Sequence, residues 1–290
     1  MGPFGATRMG FDKQMQPVAV SGGFGGLTSR DVRLLEEAAK LGPVHVFLWS
    51  DSAVKRIQGT PPKFPESERR YFLEAVRYVD GVLPCDPPGD GNSLPVCEGL
   101  RPGTWVVGPE CASPLQEAIE AYCRYQGIQY HQLSDDQLQG FPELPEEPSP
   151  PTPGRKKVIV TGCYDWFHSG HVRFFEEVSG LGDLYVVVGH DANIRLLKGE
   201  GHPMFCQDER RYMVQSIRYV KRALIASGDG WLDAEREIRR LGPHIYAVNE
   251  DGDRPEKRDY CEAQGIEYRV LKRLPKEGLL PRQSTSLRGF

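Results

Sequence analysis

Much of this chain is written twice. Gly22 falls on Gly162, Ser29 on Ser169, Val32-Arg33 on Val172-Arg173, Glu36-Glu37 on Glu176-Glu177, Leu41-Gly42 on Leu181-Gly182 and Asp51 on Asp191, all at one constant offset. After a one-residue shift, Glu68-Arg69-Arg70-Tyr71 falls on Glu209-Arg210-Arg211-Tyr212 and Arg77-Tyr78-Val79 on Arg218-Tyr219-Val220. Cys123 with Gln126-Gly127-Ile128 then matches Cys261 with Gln264-Gly265-Ile266. A repeat this long is a whole domain, not a solenoid unit. Whatever fold one copy adopts, the other must adopt as well. Between the copies runs a segment with prolines at 142, 145, 148, 150, 151 and 153. Proline at this density lacks donors and favours an extended spacer. The expected layout is a leader over 1–15, a first domain over 16–140, a Pro-rich linker over 141–155 and a second domain over 156–290.

Each copy alternates strand and helix patterns. In the second, strands are expected near Lys157–Thr161, Asp183–Gly189, Arg222–Ile225, His244–Val248 and Glu267–Leu271, with helices near Gly170–Leu181, Asp208–Tyr219, Trp231–Leu241 and Arg254–Gln264. The first gives strands near Pro17–Val20, Val44–Trp49, Val82–Cys85, Thr104–Val107 and Ile128–Leu133. Alternation of this kind predicts an α/β fold: two tandem Rossmann-like domains, each a doubly wound parallel sheet, produced by internal duplication.

The stretch from Val158 to His171 reads as a β-branched buried strand, a break at Gly162, and a helix start. From Val172, apolar Phe174, Phe175 and Val178 recur near 3.6 spacing around Arg173, Glu176 and Glu177. His168 and His171 therefore stand where a strand hands over to a helix. Ligands of open α/β sheets bind at such carboxyl ends, and the free N–H groups of a helix start favour phosphate.

His168-Ser169-Gly170-His171, following Gly162-Cys163-Tyr164-Asp165-Trp166-Phe167, resembles the H-x-G-H signature of the cytidylyltransferase-like nucleotidyltransferases. The tandem layout resembles that of ethanolamine-phosphate cytidylyltransferases, with the intact motif in the second copy instead of the first. The resemblance implies attack of a substrate phosphate on the α-phosphate of a nucleoside triphosphate, with pyrophosphate leaving. CTP is the expected donor, ATP the alternative, with Mg2+ accompanying the triphosphate and a phosphate- or phosphonate-bearing small molecule as acceptor. It makes His168, His171, Lys198 and Arg210 the expected catalytic residues. A positioned imidazole suits the task because it can be cationic near neutral pH. Gly162, Cys163, Tyr164, Asp165, Gly170, Asn249, Asp251, Arg282, Ser284 and Thr285 are the expected nucleotide contacts. Asp165 is open between orienting the site and shaping the turn. Arg210 is open between phosphate and a structural ion pair, because the first copy keeps Arg69. Arg254, Lys257, Arg258 and Lys272 could meet an anionic acceptor, although a solvated helix face also explains the first three. The Ile217-Arg218-Tyr219-Val220 helix end resembles CTP-using members.

The first copy has Thr28 and Asp31 where the second has His168 and His171, Gly25 for Asp165, Arg30 for Gly170 and Gln58 for Lys198. It also lacks a counterpart of Pro281–Arg288. The first domain is thus expected to be inactive and to pair with the second as a pseudo-dimer. Composition narrows the alternatives. Lys+Arg 36 against Asp+Glu 40 leaves a net charge of −4, so no basic surface for nucleic acid is expected. No apolar run approaches the roughly 18 residues of a membrane helix. Residues 1–15 have no apolar signal core, and seven cysteines without Cys-x-x-Cys fit a reducing, cytoplasmic setting with no structural metal. A nucleotide-binding regulatory protein without turnover is the competing class.

Overall fold

The computed structural model describes residues 16–86, 100–111, 113–144, 150–282 and 284. The expected leader, the linker centre at 145–149 and Thr285 lie outside the described residues. The first half runs β1 (Val18–Gly22), α1 (Ser29–Ala39), β2 (Val44–Trp49), α2 (Asp51–Gln58), α3 (Glu66–Ala75), β3 (Gly81–Cys85), β4 (Thr104–Val107), α4 (Ser113–Gln126), β5 (Gln129–Gln132) and α5 (Asp135–Leu138). The second runs β6 (Lys157–Gly162), α6 (Ser169–Ser179), β7 (Asp183–Val188), α7 (Asp191–Lys198), α8 (Gln207–Gln215), β8 (Val220–Ile225), α9 (Glu235–Leu241), β9 (Ile245–Asn249), α10 (Pro255–Ala263) and β10 (Glu267–Leu271).

Two five-stranded sheets result, ordered β3-β2-β1-β4-β5 and β10-β9-β6-β7-β8. Read from the other edge, the second order is the first one over again. Every strand pair is parallel. The central strand β6 is buried on both faces through Val158, Ile159 and Val160, as a parallel sheet covered by helices requires. The order reverses direction at β1 and at β6, so the loops after those strands open into a crevice. Three elements differ from the expected pattern. Helices α2 and α7 follow β2 and β7 directly, in segments too short for apolar periodicity to mark them. Helix α8 stops at Gln215 because Ile217 leaves it to form an antiparallel bridge with Val76 of the other half.

That bridge lies at the centre of a reciprocal interface. Tyr71 donates to Glu176 at 2.7 Å, and its counterpart Tyr212 donates to Glu36, the counterpart of Glu176, at 2.8 Å. Ser29 donates to Glu209 at 2.7 Å while Ser169 donates to Glu68 at 2.6 Å. Arg77 reaches the carbonyls of Ile217 and Val220, and Arg218 those of Val76 and Val79. Helix α3 packs on α6, and α1 on α8. Contacts in which i meets j and j′ meets i′ define an isologous interface, made here within one chain. One buried apolar cluster accordingly runs from Val18 and Leu35 through Phe72 and Val76 to Phe175, Met213 and Ala247. No helix among the described residues is long and apolar enough to cross a membrane.

Candidate active site

The loop between β6 and α6 is built around Tyr164, which sits at φ +54°. Its ring folds back over Gly162, where any Cβ would come within 2.8 Å of a ring carbon. Phe24 takes the same left-handed conformation in the first half, at φ +47°. The turn is therefore a property of the fold. What distinguishes the second half is the cap that follows. His168 Nδ1 accepts the Gly170 N–H at 3.0 Å, and His171 Nδ1 faces the His168 N–H at 3.4 Å. This is a capping box made of two imidazoles. The first half makes the same box from Thr28 and Asp31. Gly170 has a local reason to be glycine, since a Cβ there would lie 2.8 Å from His168 Cε1.

With each Nδ1 facing a backbone donor, the proton of each ring belongs on Nε2. The rings stack at 4.0 Å between centroids, with His171 also against Phe167 and Tyr164. Burial, then the charges of Arg273 and Arg282, push His168 down to about 3. Burial, then His168, Arg273 and Lys198, hold His171 well below its ordinary range. In these surroundings both imidazoles favour the neutral form, and each offers one Nε2–H donor.

A cavity of about 350 Å³ opens beside them, lined by Gly162, Cys163, Tyr164, Asp165, Trp166, His171, Lys198, Asp251, Arg273 and Ser284. A smaller adjoining one, about 90 Å³, brings in Gly170, Asn249, Lys272, Lys276 and Arg282. His168 lies buried at the edge, with Nε2 3.4 Å from Ser284 Oγ. Most of the expected residues are therefore brought together. Burial raises the Cys163 thiol above its ordinary range, so that group is a neutral wall.

Three expected site residues are held by partners within the protein. Arg210 is fully buried, and its guanidinium donates to the carbonyls of Phe205 (2.9 Å), Cys163 (2.6 Å) and Gly189 (2.8 Å) and to Asp191 (2.7 Å). Arg69 makes the same set with Phe64, Gly23, Trp49 and Asp51. The expected phosphate contact of Arg210 gives way to a clamp that both halves use to tie their loops to the sheet. Asp165 accepts the N–H groups of Met204 (2.8 and 3.0 Å) and Phe205 (3.0 Å), so it anchors that loop. Arg282 forms a two-pronged pair with Glu68 of the first half.

Arg273 escaped the sequence reading. It bonds Asp251 and, at 3.0 Å, the Arg282 carbonyl. Its signal was faint: a basic residue just past the last strand, next to Lys272, which did stand out. Among the acceptor candidates, Arg254 stacks over Trp231 and Arg258 pairs with Asp253. Lys257 is 8 % exposed, not on a solvated face; its ammonium lies 3.5 Å from Thr161 Oγ1, and burial lowers its pKa.

Paired imidazole donors, two cations and a helix start, gathered at the carboxyl end of a parallel sheet's central strand, make a cradle for a chain of phosphates. Comparison with known proteins gives the same class. Residues 159–265 match the cytidylyltransferase-like family model. An FAD synthase from Aciduliprofundum boonei is 36% identical over 125 residues, covering 42% of this chain and 80% of that protein. Another from Ferroglobus placidus is 32% identical over 125 residues, covering 42% and 78%. The bifunctional protein HldE of Hydrogenovibrio crunogenus is 36% identical over 138 residues, covering 47% of this chain and 27% of that protein. The chain belongs to the cytidylyltransferase-like nucleotidyltransferases.

Proposed function

We propose that the second half transfers a nucleotidyl group, with ATP as donor, to a small molecule that carries a phosphate. The observation that carries this reading is the set of donors around one cavity: His168 and His171 with their Nε2–H groups, Lys198, Arg273 and the start of α6. An oxygen of the acceptor phosphate attacks the α-phosphorus, the bond to the bridging oxygen breaks, and pyrophosphate leaves with that electron pair. Such chemistry asks for alignment and for charge stabilisation on phosphate oxygens. The neutral imidazoles donate without repelling the neighbouring cations, and the cations draw charge that develops on the phosphate oxygens.

Adenylyl transfer is favoured over cytidylyl transfer by the relatives. FAD contains an adenylyl group, and the FAD synthases are alike over most of their length. The feature that spoke for CTP, Arg218 with its neighbours, has a twin in Arg77 and serves the interface instead. CTP remains the second reading. Lys257 supports an anionic acceptor, because an ammonium buried beside Thr161, at the end of β6, gains from a nearby negative charge. Among the described residues no three potential ligands cluster to hold a metal. Asp165 is taken up by backbone donors and Asp251 by Arg273, so a magnesium ion would be carried chiefly by the triphosphate.

Pyrophosphate release tests this directly. ATP with flavin mononucleotide, glycerol phosphate and sugar phosphates, against CTP with the same panel, should give turnover with ATP. Lys257→Met should raise the acceptor KM and spare that of ATP. Turnover with CTP alone would select the second reading, and none with either would sink the proposal.

A further inference from the structure

The reciprocity of the interface breaks where Arg282 enters it, beside the candidate active site. Glu68 on α3 of the first half is 2 % exposed. Its Oε1 accepts from Ser169 Oγ at 2.6 Å, the first residue of α6 inside the His168-Ser169-Gly170-His171 turn. Both of its oxygens also take Arg282: Nε at 3.1 and 3.0 Å and Nη2 at 2.6 Å. The mirror residue Glu209 takes Ser29 at the equivalent helix start, and among the described residues no arginine pairs with it. Cohesion between halves needs only what the two glutamates share. Among the described residues the additional ion pair lies on the side of the two histidines, not at the mirror glutamate.

What Arg282 touches next gives the pair its meaning. Its carbonyl accepts from Arg273 Nη2 at 3.0 Å and lies 3.5 Å from where a Cβ on Gly170 would be. Two residues on, Ser284 Oγ stands 3.4 Å from His168 Nε2. A carboxylate of the first half thus holds the guanidinium of Arg282, and Ser284, next but one in sequence, stands beside the donor atom of the phosphate cradle. A bidentate carboxylate–guanidinium pair fixes direction as well as distance, and an Arg held along its Nε/Nη2 edge keeps Nη1 for a further anion.

We propose that Glu68 is a positioning residue for the nucleotide site: the first half, without a phosphate cradle of its own, holds Arg282 and thereby sets Ser284 beside His168. This rests on the reading of the cavity as a nucleotide site. Glu68 touches no reacting atom, and its effect passes through the segment after Leu279.

The test uses the full-length chain carrying Glu68→Gln, Glu209→Gln or Arg282→Gln. Each glutamine keeps a side-chain oxygen for its serine, but Glu68→Gln removes the charge that holds Arg282. Amide hydrogen exchange across 279–284, without nucleotide, should speed up in Glu68→Gln and Arg282→Gln and stay as in wild type in Glu209→Gln. The ATP dissociation constant and KM should rise about tenfold in Glu68→Gln, within the usual span of coupling between sites, with kcat affected less. Glu209→Gln should stay within about twofold. The double variant Glu68→Gln/Arg282→Gln should bind no worse than the weaker single one, because both remove one linkage. Equal effects of Glu68→Gln and Glu209→Gln would reduce the contact to interface cohesion and overturn the proposal. Tighter ATP binding by Glu68→Gln would overturn it too, since Glu68 would then be withholding Arg282. If wild type binds no nucleotide, the nucleotide reading fails, and unchanged exchange across 279–284 in Glu68→Gln refutes the positioning role separately.

Discussion

The neutral imidazoles make a quantitative prediction. His168 has an ordinary pKa of 6.5 that falls to about 3 in the fold, because the ring is buried and Arg273 and Arg282 stand nearby. The unfolded chain therefore takes up the proton first as pH falls. The stability tied to His168 is present in full above pH 6.5 and is lost progressively as pH drops toward 3. At pH 5.0 the protonated unfolded state is favoured by about 2 kcal/mol from this one group. His168→Asn isolates the term, because an asparagine oxygen can accept the Gly170 N–H from nearly the position of Nδ1 and does not titrate. The substitution leaves a constant deficit from lost packing. Superimposed on it, the wild-type advantage over the variant should shrink by about 2 kcal/mol between pH 7.5 and pH 5.0. Urea unfolding at the two pH values reads this, and the shared apolar cluster predicts one transition for both halves. An advantage unchanged to within about 0.5 kcal/mol would mean that His168 charges inside the fold, and the argument for neutral donors would fall.

The interface and the clamps give two more expectations. Tyr71→Phe and Tyr212→Phe each remove one hydrogen bond to a partly buried carboxylate, so each should cost about 1.5 kcal/mol in urea unfolding; a large loss for one and none for the other would deny the reciprocity. Arg69→Lys and Arg210→Lys replace a fork that meets four acceptors with a point charge, and both should cost about 3 kcal/mol or more. A stable Arg210→Lys protein with abolished turnover would return Arg210 to the phosphates.

The strands were legible because parallel strands buried on both faces leave continuous β-branched runs such as Val158–Val160 and Val186–Val188; their order in the sheet was read only from the structure. The crevice was legible because a duplicated chain carries its own comparison: loss of His168, His171 and Lys198 from the first copy marked the half that gathers donors. The same comparison had warned about Arg210, since Arg69 survives in the first copy; its bonds show why both are kept. Hidden from sequence were facts that depend on distance between segments far apart in the chain. Nothing local to Glu68 announces Arg282, and nothing local to Asp165 announces the N–H groups of Met204 and Phe205. The protonation of the imidazoles was also beyond reach, because it is set by burial and by Arg273, which lies about a hundred residues on in sequence.

The proposed function requires one nucleotide site per chain, in the second half and taking ATP. Calorimetric titration of wild type and Lys198→Met with ATP and with CTP, each with magnesium, tests it most directly. The expected result is a single site, tighter for ATP than for CTP and weakened by removal of the Lys198 charge. Two equivalent sites, or binding indifferent to Lys198→Met, would contradict it.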